Sequence, residues 1–128
     1  IYEACYHLAK YYEMVGNGLN EILAEYGYRA CGGGLYAVEE TAKRDATIVF
    51  FCHLGVSFVM LSHLLGIAAP SLWQGFFVAP SSVTVAASEE RIAGEAAFRV
   101  QMMGDTRHLY EGGEPISSSG YFTDAFQK

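Results

Sequence analysis

The stretch IVFFCHLGVSFVMLSHLLG, residues 48–66, sets the fold expected of this chain. Ile48-Val49-Phe50-Phe51-Cys52 carries no polar residue in alternation, the pattern of a strand buried on both faces, as in the parallel sheet of an α/β domain. His53 stands where that strand stops, followed by a glycine at position 55 and an apolar segment, Val56 to Leu65, that reads as a helix ended by Gly66 with Pro70 beyond it. In open α/β sheets, ligands bind beyond the carboxyl ends of the strands, where the next helix aims its first amide groups. An imidazole at that place is suited to meet an anion.

Outward from this stretch the pattern changes. Upstream, Cys5, Leu8, Tyr12, Val15, Leu19, Ile22 and Tyr26 recur in steps of three and four, which lays them on one face of a long amphipathic helix. Gly16-Asn17-Gly18 weakens its middle and predicts a kink or two shorter helices, and Gly27 is placed to end it. Tyr28 to Ala30 and Leu35 to Val38 flank Cys31-Gly32-Gly33-Gly34, a cluster suited to a hairpin turn. A phosphate loop is disfavoured there because no Lys-Ser/Thr and no strand-to-helix switch follows.

Downstream, Ser71-Leu72-Trp73 restarts a short helix. Val83 to Ala86 and Ala97 to Met102 alternate as strands joined through a polar turn region from Ser88 to Glu95, a hairpin-like pair that extends the sheet towards an edge. Gly104 to His108 reads as irregular. With Thr47 to Cys52 as an interior strand, the expected fold is an α/β domain with a mostly parallel central sheet flanked by helices.

Composition narrows the function. The 128 residues, 52% of them hydrophobic, suit one domain with a sizeable core. Eight Lys and Arg against fourteen Asp and Glu give a formal charge of −6, which argues against a general nucleic-acid binder. The apolar stretch around residues 48–70 is too interrupted by His, Ser, Gly and Pro for a membrane span. Cys5, Cys31 and Cys52 are odd in number and lack C-x-x-C spacing, so free thiols in a cytoplasmic protein are expected.

The order of buried strand, His-x-Gly, apolar helix closing in Leu-Leu-Gly-Ile (Leu64 to Ile67), Leu72-Trp73, Ser81 to Val85 and a late Gly-Asp-Thr-x-His-Leu (Gly104 to Leu109) resembles the C-terminal part of the histidine phosphatase superfamily. The resemblance implies the three-layer phosphoglycerate mutase-like fold, with residues 1–128 forming the C-terminal portion of one such domain. It implies phosphoryl transfer from a small phosphorylated substrate through a phosphohistidine, with no cofactor and no metal. His53 matches the family's second histidine, which holds the phosphoryl oxygens, while Gly55 and His108 match substrate-binding positions. The chemistry fits, since an imidazolium can donate to the charge that spreads over equatorial oxygens in the transition state.

Two departures stand out. No Arg-His-Gly, the family's nucleophile motif, occurs in the chain, and Arg107-His108 is followed by Leu109. The nucleophile and the general acid are therefore expected upstream of Ile1, which makes the chain a fragment whose crevice is completed by a missing N-terminal segment or another copy of the chain. Leu54 stands where the family has glycine, in a position either to narrow the phosphate pocket or simply to face the core.

The other candidates are structural. His63 falls mid-helix without an acidic neighbour, and a packing role is expected. Cys52 and His53 point to opposite faces of a continuing strand, which excludes a thiolate-imidazolium dyad. His7, His53, His63 and His108 show no His-x-x-x-His or other metal-ligand spacing. Two function classes remain: a phosphatase or phosphomutase whose nucleophile lies upstream, or a non-catalytic interaction module that keeps only the core of the fold.

Overall fold

A computed structural model describes residues 2–121, with side chains from residue 7 onward. Cys5 therefore has no described thiol. Helix α1 (Tyr2–Glu25) leads to the hairpin β1 (Tyr28–Gly32) and β2 (Leu35–Val38), and a connection enters α2 (Leu54–Leu65). The short α3 (Ala69–Gly75), the long hairpin β3 (Val83–Ile92) and β4 (Glu95–Asp105), and one turn of helix, α4 (Arg107–Glu111), complete the order.

All strand pairings are antiparallel, in the order β1-β2-β4-β3. Tyr36 pairs with Ala96, joining the two hairpins, and β3 lies at an edge, though its burial does not alternate as expected. Helices α1, α2 and α3 pack on one face of this sheet. Leu19 and Leu23 of α1 meet Tyr28, Tyr36, Val38 and Ala96 in one core cluster, and Phe58, Leu61 and Leu72 form another against Val100 and Met103. Inward positions alternate with outward ones such as Arg29, Leu35, Ala37 and Arg99, so the second face carries no helix layer and is largely a field of Arg-Glu pairs.

The mostly parallel, three-layer sheet expected from residues 48–52 is corrected by this topology. Thr47 to Cys52 belongs to no strand. Val49, Phe50 and Phe51 are 68%, 42% and 97% exposed, and only Ile48 packs against the core. The physical reason is that an apolar run states a capacity for burial on two faces, while burial itself needs neighbours. β1 and β3 each keep one free edge, but Thr47 to Cys52 pairs with neither, so the run has no partner on either side. Cys52, expected inside the sheet, is exposed for the same reason.

The turns and caps follow local chemistry. Gly27 (φ +87°) ends α1 and Gly66 (φ +66°) ends α2 in the left-handed conformation that glycine adopts without a Cβ penalty. Gly66 abuts the β1-β2 turn so closely that a methyl on it would lie 2.5 Å from the Gly33 carbonyl carbon. α1 runs through Gly16 as one helix rather than two shorter ones. The side chain missing at Gly16 makes room for the His63 ring of α2, and a methyl there would overlap that ring. The stretch expected to be irregular from Gly104 to His108 is divided between the end of β4 and α4.

Among the described residues no helix is long and apolar enough to cross a membrane.

Candidate functional site

His53 is the N-cap of α2, with extended backbone (φ −106°, ψ 161°). The residue is exposed and its side chain makes no capping hydrogen bond. The His53 carbonyl accepts the Ser57 amide at 3.0 Å, and the Ser57 hydroxyl is turned back onto the Leu54 carbonyl at 2.8 Å. The first amides of α2, at Leu54, Gly55 and Val56, have no partner within the helix. Gly55 keeps the approach to them open, since a methyl at its position would meet nothing within 4 Å. Leu54 stands at the first helical position with its side chain 42% exposed, flanking the same approach. The arrangement is an exposed imidazole at a positive helix end, on a segment edged by exposed Phe50 and Phe51.

His108 lies elsewhere. It sits in α4 and lines a concavity of about 300 Å³ with Val83, Met102, Asp105, Arg107 and Glu111. Neither this concavity nor any hydrogen bond or ring contact among the described residues joins it to His53. Of the expected site residues, the structure thus places His53 and Gly55 together and leaves His108 apart.

One element next to His108 escapes the sequence reading. Asp105 accepts the Arg107 backbone amide at 2.8 Å and its Nε at 2.7 Å, and this guanidinium holds the Asp105 carboxyl below the usual carboxylate range while raising the arginine. Arg107 also reaches the Met102 sulfur at 3.3 Å. The signal was present in the Asp-x-Arg spacing, because an aspartate commonly binds the amide two residues on.

The same bookkeeping extends to every arginine of the chain. Arg29 pairs with Glu39, Arg44 with Glu90, Arg91 and Arg99 with Glu89, and Arg107 with Asp105. Lys43 lies over the Tyr26 ring, 5.0 Å from its centre. None of the five guanidinium groups is left uncommitted for a phosphate beside His53.

His63 has a structural place. Its Nε2–H donates to the Tyr12 carbonyl at 3.3 Å, its ring lies 5.8 Å from that of Tyr12, and the Tyr36 hydroxyl donates to its own carbonyl at 3.4 Å. Cys52 next to His53 has its thiol pushed up by desolvation, which disfavours a thiolate nucleophile. Among the described residues no group of three His, Cys, Asp or Glu side chains converges so as to hold a metal ion.

No family model matches the chain, and neither a curated protein nor a solved structure matches it.

Proposed function

We propose that this chain contributes the phosphate-holding histidine of a phosphoryl-transfer enzyme of the histidine phosphatase type, acting on a small phosphomonoester in the cytoplasm. The observation that carries the reading is the position of His53, an exposed residue at the N-cap of a twelve-residue helix. His53 donates to an equatorial oxygen of the phosphoryl group, and the amides of Leu54 and Gly55 oppose the remaining charge. In this reading His108 acts at the rim, orienting its loop.

The nucleophile and the cations come from a segment other than those described here, an upstream stretch or another copy of the chain. Two features support that division of labour. Each arginine is already bound to a carboxylate, and the run leading to His53 presents Val49, Phe50 and Phe51 uncovered. An exposed apolar run of this kind is a surface that another element covers in soluble proteins.

The test is phosphate release from a generic phosphomonoester by the chain alone and by the longest form that its reading frame supports. The expectation is no turnover from the chain alone and turnover from the longer form. His53→Ala then lowers that turnover by about 100-fold, the scale for losing one preorganised donor to a developing oxyanion. Undiminished turnover without His53 removes the role assigned to it.

A second reading, a non-catalytic interaction module, is favoured by the same uncovered run and by the separation of His53 from His108. It predicts that vanadate, a mimic of the phosphoryl transition state, leaves the His53 ring resonances unmoved in every form of the protein.

A further inference from the structure

We draw no further inference here: the strongest candidate, the concavity on the helix-free sheet face between Leu35 and the β3-β4 turn, sets Arg91 and Arg99 against Glu89 and Glu95, none of them buried, and so holds neither a net charge nor a sequestered polar group that would select a ligand.

Discussion

Replacing Gly16 by alanine tests the joint between α1 and α2, and its sign should depend on His63. In an ordinary helix interior the change stabilises by about 1 kcal/mol, because alanine loses less backbone freedom on folding. Here the new methyl would occupy the place of the His63 ring. Displacing that ring forfeits the hydrogen bond to the Tyr12 carbonyl, worth about 1 kcal/mol net, and its contact with the Tyr12 ring, worth about 0.5–1.5 kcal/mol. The net expectation is a loss of about 1 kcal/mol. Retaining the ring in a strained position would cost about 1–3 kcal/mol instead. With His63→Ala already present the overlap is gone, and Gly16→Ala should then stabilise by about 1 kcal/mol. Gly18 is the internal control, since a methyl there meets nothing within 4 Å and should stabilise both backgrounds alike. Urea unfolding followed by Trp73 fluorescence reads the cycle near the joint, because Trp73 packs edge-on against Tyr12 at 6.2 Å. Equal m-values across the set would license the comparison. A Gly16→Ala change that stabilises the wild-type chain as much as the His63→Ala chain would refute this account of the contact.

Gly66→Ala should destabilise by about 2 kcal/mol or more, from the left-handed backbone cost and the overlap with Gly33, and a fall in the thermal midpoint measures it. The Glu90 carboxyl, bound by Arg44 at 2.8 Å and by the Gly94 amide at 2.7 Å, is held below the usual range. Its contribution to stability is therefore complete above the unfolded glutamate value of about 4.3 and is lost as pH falls through the lower folded value. A carboxyl-carbon NMR titration should place its midpoint below that of an unfolded glutamate, and Arg44→Gln should move it up. In an active form of the protein, His63→Ala should lower the unfolding midpoint while changing turnover far less than His53→Ala does. Parallel losses in both properties for both variants would contradict the separate roles of the two histidines.

The parts of the fold that local chemistry decides were readable from the chain. Gly27 and Gly66 end helices where the periodicity stops, and two strands do start near Val83 and before Ala97, but the hairpin turn is Gly33-Gly34 alone, with Cys31 and Gly32 in β1, and the expected turn region from Ser88 is paired strand as far as Ile92. What failed was the step from burial capacity to partner. Ile48 to Cys52 has the composition of an interior strand, but composition names no neighbour, and no strand of the described chain lies beside it. Gly16 failed in a related way: propensity treats a mid-helix glycine as a weakness, whereas its use here is set by a histidine 47 positions away. For the site, the apolar helix after His53 was legible, although it starts at Leu54 rather than Val56, while the strand end expected at His53 is absent. The distance of His53 from His108 was not legible, because it depends on how α4 leaves the end of β4. The commitment of every arginine to a carboxylate was equally hidden, since pairs such as Arg44 and Glu90 lie far apart in sequence.

The seat of Gly66 on the β1-β2 turn fixes one end of a lever. Twelve helical residues separate that pivot from His53, a span of about 18 Å at 1.5 Å per residue. A rotation of about 5° about the pivot would swing the imidazole end through about 1.5 Å, and misplacement on the order of 1 Å can reduce catalysis about 100-fold. In the phosphate-holding role proposed for His53, its aim would thus depend in part on two glycine-rich corners at the opposite end of its helix, where a side chain no larger than a methyl group would meet backbone.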